Sequence, residues 1–259
     1  MNAAPDMLPP LPPSPAPVAA PSFVLPGNIV ENVRFLAGRV EEVALCFFEN
    51  AACLAYTEQD LPPDLRDLPL RWHVHLPFDL PWPEKASAAA CRPALDAVQR
   101  LLEKIAPLSP RCAVLHAPNA PTEVRQELLR HASRFWHEYH DMPLLLENTY
   151  NCDVLELGEG FLEETELGFC LDVGHLLGYG QDALRTSALP SRAALLHWSA
   201  PCGRDAHAAL TRLTDEELVL LRELMPRLSA QVVHLLEIFR WRALEESLPV
   251  LARLRTYMA

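Results

Sequence analysis

"LLLENTYNCD", residues 144–153, sets three leucines directly before Glu147 and Asn148. A run this apolar, without the polar alternation of a half-solvated strand, reads as a strand covered on both faces, as in parallel sheets. Its end is the anomaly. A carboxylate closing a buried strand is costly unless something pairs with its charge. The stretch therefore asks for two things: a parallel α/β architecture and a partner for Glu147.

Runs of the same kind recur on both sides of it. Strands are read near "FVLP" (23–26), "VALCFFE" (43–49), "RWHVHLP" (71–77), "CAVLHAP" (112–118), "GFCLDV" (168–173), "ALLHWS" (194–199) and "VVHLLEIF" (232–239). Helical patterns separate them. Asn28 followed by Glu31, and Thr214 followed by Glu217, fit capping boxes that precede apolar faces. Between the third and fourth strands Pro93 is expected to start a helix whose Leu95, Val98, Leu102 and Ile105 face the sheet. Eight alternations predict an α/β fold, a TIM (β/α)8 barrel with short helices, forming a single catalytic domain over residues 22–259. The preceding "MNAAPDMLPPLPPSPAPVAAP" (1–21) has no basic start and is broken by proline throughout; it reads as a disordered Pro-rich tail rather than a signal peptide.

Composition narrows the function. No apolar stretch reaches the roughly 18 residues of a membrane span. Seven cysteines, scattered and odd in number with no C-x-x-C pair, suit reduced thiols in a cytoplasm. A net charge of −12, with Lys85 and Lys104 the only lysines, disfavours nucleic acid as a partner. No obligate protein partner is evident.

In a parallel barrel the functional positions lie at the C-terminal strand ends. Here those ends carry His75, His116, Glu147, Asp172, His197 and Glu237, with His175 following in "DVGH" and Asp205 and His207 in "RDAH". Each is a ligand type for Zn²⁺, Mn²⁺ or Fe²⁺. Any one alone reads as a structural or solvated residue. Together they would crowd like-charged carboxylates into one mouth, which divalent cations would relieve. His131, His137 and His140 fall in a helical segment, and His234 is turned to the other strand face from Glu237. His73, two residues before His75, is expected one layer deeper, orienting a ligand. Glu49, ending strand two, and Arg240, just past Glu237, are candidates for binding substrate; both also suit the barrel rim.

The motifs "VHLP", "LHAP", "LLLENT", "LDVGH", "LHWS", "RDAH" and "LLEIF" resemble the strand ends of the xylose-isomerase-like barrels, in particular their endonuclease IV branch, from about residue 23 onward. The resemblance implies a one-metal sugar isomerase set at Glu147, Asp172, His197 and Glu237. The endonuclease IV branch adds His75, His116, His175, Asp205 and His207, for up to three metals that hydrolyse a phosphodiester, with Glu147 bridging metals and Glu237 catalytic beside it. "LPG…EN…FLAG" (25–38), "CFFE", "VHLP" and "DVGH" are similar to the cobamide-remodelling phosphodiesterases. These release cobinamide phosphate and an α-riboside from the nucleotide loop of a corrinoid. An AP endonuclease acting on abasic DNA, a single-metal sugar isomerase or epimerase, and a catalytically inactive binding module remain as alternatives.

Overall fold

The computed structural model describes residues 18–203 and 207–258. Its barrel strands are β1 (Val18–Pro21), β2 (Glu42–Cys46), β3 (Arg71–His75), β4 (Ala113–His116), β5 (Leu144–Glu147), β6 (Gly168–Asp172) and β7 (Ala193–Trp198). After a two-residue antiparallel ladder of β8 (Ala200–Pro201) with β9 (His207–Ala208), β10 (Val233–Leu236) completes the set. β1 pairs in parallel with both β2 and β10, so the sheet closes on itself in the order β1, β10, β7, β6, β5, β4, β3, β2. The expected TIM barrel is the observed fold.

The helices are α1 (Ile29–Leu36), α2 (Asn50–Leu54), α3 (Ala88–Ile105), α4 (Thr122–Tyr139), α5 (Phe161–Glu164), α6 (Val173–Gly178), α7 (Asp182–Thr186), α8 (Asp215–Leu224) and α9 (Trp241–Arg255). Both capping boxes form, Asn28 with Glu31 and Thr214 with Glu217, each satisfying backbone N–H groups that the first turn leaves open. No helix among the described residues is long and apolar enough to cross a membrane.

Strand parity divides the apolar residues in two. One set lies between barrel and helices. The other fills the barrel interior: Ala19, Ala44, Cys46, Cys112, Val114, Leu145, Cys170, Leu195, Val233 and Leu235. Many of these are small, as a narrow eight-stranded barrel requires. Three of the cysteines thus serve as compact apolar filling, and all seven are free thiols.

Three expectations need correction. The first strand is Val18–Pro21, inside the segment read as a tail; residues 1–17 lie outside the described residues. "VAAP" has little β propensity and no alternation, and it becomes a strand because both its neighbours offer it a ladder and its inward Ala19 must be small. "FVLP" instead forms bends, in which the N–H groups of Val24 and Leu25 donate to the buried Asn32 side chain. Pro93 lies inside α3, which starts after the Ser87 cap, and Leu95, Val98, Leu102 and Ile105 are buried as anticipated. Finally, α3, α4 and α9 run to 18, 18 and 15 residues and are not short.

Candidate metal centre

Glu147 is the hub of the barrel mouth. Its Oε2 lies 3.1 Å from His75 Nε2, 3.3 Å from His116 Nε2 and 3.4 Å from His197 Nδ1, while Oε1 lies 3.3 Å from His175 Nδ1. Asp172 approaches His175 Nδ1 at 3.7 Å and His197 Nδ1 at 3.8 Å. Glu237, the residue after β10, reaches His197 Nδ1 at 3.0 Å and His207 Nδ1 at 3.9 Å. Eight of the nine residues singled out from strand ends and loops thus form one connected cluster. The ninth, Asp205, lies outside the described residues.

Backbone groups set the ring orientations. His75 Nδ1 is 3.0 Å from the Leu76 carbonyl and His175 Nδ1 is 2.9 Å from the Asn148 carbonyl. A carbonyl only accepts, so each Nδ1 carries the proton and the lone pair of the neutral ring belongs to Nε2. Asn148 does more than hold its own loop. Its Nδ2 donates to the Asp172 carbonyl at 2.9 Å and to Gln181 Oε1 at 2.8 Å, and its Oδ1 accepts from the Asp172 N–H at 2.8 Å. Gln181 in turn donates to the Thr149 carbonyl. The carboxylate-bearing ends of β5 and β6 are thereby clamped together. Asp172 also caps α6, accepting from the His175 N–H. Gly174 is required in this turn, since a Cβ there would collide with the Ser199 hydroxyl and crowd Asp172.

The electrostatics are those of a site balanced by protons. Burial pushes the Glu147 carboxyl up, but His197 and His116 outweigh it and hold the group well below the usual range. Glu237 is likewise lowered against the effect of burial, by His197 and His207. Burial pushes Asp172 up to about 6. Burial disfavours the charged rings of His175 and His197, yet the carboxylates beside them carry His175 up to about 10 and His197 well above its ordinary value. Among the described residues, Glu147 Oε1, Asp172 Oδ2, Glu237 Oε2 and both nitrogens of His197 are buried without a well-aligned hydrogen bond, the close carboxylate–imidazole approaches above included. Orphaned acceptors among imidazoles are the donor set of a divalent cation, which would displace those protons. The residues fit a metal.

Within this cluster Glu147, Asp172, His197 and Glu237 offer donor atoms all within 4.8 Å of one another, as do His75, His116 and Glu147. So do Glu147, Cys170 and His197. Cys170 was not anticipated as a donor, although its position two residues before Asp172 puts it on the same inward face. Burial pushes its thiol up to about 12.

The other residues singled out lie apart from this hub. His73 is buried one layer below His75, where its Nδ1 pairs with Glu42 Oε1 at 2.7 Å; among the described residues it makes no hydrogen bond to a candidate ligand. Arg111 closes the same carboxylate at 3.1 Å, so this buried pair braces the N-terminal end of the barrel. Glu49 is exposed at the start of α2, and Arg240 is exposed at the start of α9. His131 and His137 lie on α4, with His140 at its C-terminal end. His234 accepts from Trp198 Nε1 at 3.0 Å, on the face away from the site.

No protein-family model matches the chain, and no curated protein matches its sequence. Solved structures do. A D-tagatose 3-epimerase-like protein aligns with TM-score 0.68 and 16% identity over 92% of this chain and 96% of its own. Endonuclease IV of Thermus thermophilus aligns with TM-score 0.66 and 21% identity over 92% and 98%. The fold is the TIM barrel that these structures share. A second Thermus thermophilus protein, from a crystal soaked with zinc chloride, aligns with TM-score 0.64 and 22% identity over 93% and 98%. Known barrels of this kind thus include both an epimerase-like protein and an endonuclease.

Proposed function

We propose that the protein is a metal-dependent phosphodiesterase that hydrolyses the nucleotide loop of a cobamide, giving cobinamide phosphate and an α-riboside. One observation carries the reading: eight donor residues, with Glu147 as their hub, form one cluster, about twice the four that a tetrahedral zinc takes. A sugar isomerase needs only the quartet of Glu147, Asp172, His197 and Glu237. The additional imidazoles of His75, His116, His175 and His207 supply neutral ligands for further cations, with Glu147 shared between positions. His75, His116 and Glu147 would hold one ion, and Glu147, Asp172, His197 and Glu237 another; zinc suits this mixture, as do manganese and iron.

A phosphodiester is an anion that repels an attacking hydroxide, and bound divalent cations would supply the positive charge that offsets this. The chain's own residues supply position. Asn148 and Gln181 hold the β5 and β6 carboxylates in register, and the Leu76 and Asn148 carbonyls fix the His75 and His175 rings. Glu237, next to His197 and His207, is placed to orient the attacking water, and Arg240 offers a guanidinium fork at the rim for phosphate. A net charge of −12 disfavours a long DNA backbone as substrate. The short motifs at residues 25–38 favour the corrinoid over other diesters.

The self-sufficient quartet favours a second reading, a single-metal sugar epimerase. Incubating the metal-replete protein with a cobamide, with abasic-site DNA and with a ketohexose, and following products by mass spectrometry, separates the possibilities. Cleavage of the cobamide to cobinamide phosphate and an α-riboside, with the DNA and the sugar unchanged, is expected. DNA nicking or sugar epimerisation with the cobamide intact would overturn the proposal.

A further inference from the structure

Three phenylalanines stand at the mouth beside the donor cluster. Phe23 follows β1, Phe48 follows β2 and Phe239 follows β10, and these three strands are adjacent in the barrel. The Phe23 and Phe48 rings are 5.6 Å apart, and those of Phe48 and Phe239 are 5.3 Å apart. The set is contiguous with the metal donors, because the Phe239 ring meets the His207 ring edge-on at 5.2 Å. Phe23 and Phe239 rest on the apolar filling of the barrel interior, while Phe48 stays 38% exposed. Folding alone does not explain an open apolar shelf at this point, since the interior beneath it is already filled.

We propose that Phe23, Phe48 and Phe239 form a specificity-determining shelf that stacks the planar heteroaromatic ring of the substrate while its phosphate lies over the donors. The identity of that ring, the base of a nucleotide portion, rests on the phosphodiesterase reading. Phenylalanine has no hydrogen-bonding group, so it grips the π-face of a base without reading its edge. The shelf therefore accepts bases that differ in their edge substituents. It also selects diesters that carry a flat ring over those that carry aliphatic groups only. Phe239 is two residues beyond Glu237, so the shelf and the reacting region are set by one strand end.

The test is calorimetric binding of a benzimidazole α-riboside, and of the ring-free methyl riboside, to the metal-replete protein and to Phe48→Ala, Phe48→Leu and Phe48→Tyr. Alanine and leucine are expected to weaken the benzimidazole riboside by about tenfold, within the range for removing one aromatic partner of a base. Tyrosine should restore it, and binding of the methyl riboside should not change. In cobamide hydrolysis the alanine variant should raise KM by a similar factor with kcat held within about twofold. The leucine variant keeps the apolar volume without the planar face, so it serves if alanine perturbs the fold. Unchanged riboside affinity in both variants, an equal loss for the ring-free probe, or no riboside binding by the wild type would each overturn the shelf. Phe48-dependent riboside binding in a protein that cleaves no diester would uphold the shelf and reject the phosphodiesterase. Diester cleavage with no dependence on Phe48 would do the reverse.

Discussion

Replacing Asn148 by alanine should damage both stability and metal binding, and the structure sets the scale. The side chain makes three buried hydrogen bonds of 2.8–2.9 Å: two to the Asp172 backbone and one to Gln181. A net contribution of about 1 kcal/mol per bond amounts to about 3 kcal/mol, and the Asp172 N–H left buried without an acceptor adds about 1–2 kcal/mol. The expected loss is about 4–5 kcal/mol, a large part of the roughly 5–15 kcal/mol that holds an ordinary domain together. The same bonds hold Asp172 against Glu147, so zinc affinity should fall by about 10–100-fold, the usual effect of losing a group that orients a metal ligand. Urea unfolding of the metal-free protein measures the first effect, and competition with a chromophoric chelator the second. Asn148→Asp keeps the acceptor for the Asp172 N–H but loses both donated bonds and adds a charge, so it should also be destabilised. A stability loss below about 1 kcal/mol in Asn148→Ala, with zinc affinity unchanged, would refute the clamp.

Other substitutions test other parts of the molecule. Glu147→Gln keeps the shape of the hub but removes the charge that four imidazoles share, and activity should fall by more than about a hundredfold. Wild-type turnover in that variant would remove Glu147 from its role. Deleting residues 1–21 takes out β1, which closes the barrel between β2 and β10, so cooperative unfolding should be lost; an unchanged melting curve would mean the barrel closes without it. Burial lowers His234 from its ordinary 6.5 to about 3, and its Nδ1 is already committed as an acceptor from Trp198. Above the ordinary value the ring is neutral in both states. As pH falls from there toward 3, the unfolded chain binds a proton that the folded protein excludes, and stability drops by about 1.4 kcal/mol per pH unit. His234→Gln should lessen that slope by one proton in pH-dependent denaturation, and an identical slope would show that His234 titrates alike in both states.

The barrel was legible because its strands are short apolar runs closed by polar groups, and its helices announce themselves at Asn28 and Thr214. The clustering of the candidate donors was legible for a related reason: in a parallel barrel a strand end is also a place in space, so His75, Glu147 and Asp172 could be assigned to one mouth before any distance was known. Val18–Pro21 escaped because "VAAP" has no pattern of its own. Pro93 misled because proline at the start of a helix and proline within its first turns look alike in sequence. The Asn148–Gln181 clamp and the phenylalanine shelf join residues far apart in the chain, and no local signal marks them.

By itself the sequence determined the alternation of strand and helix and the inventory of donors, since hydrophobic period, capping residues and ligand types are properties of neighbours in the chain. Only the tertiary structure decided which strand closes the barrel, that Glu147 is the shared centre, that Cys170 lies beneath it and that His73 belongs to Glu42 instead. These depend on strand register around a closed sheet. A shift of one residue in any ladder would turn the inward side chains outward, and that choice is made by the packing of all eight strands together.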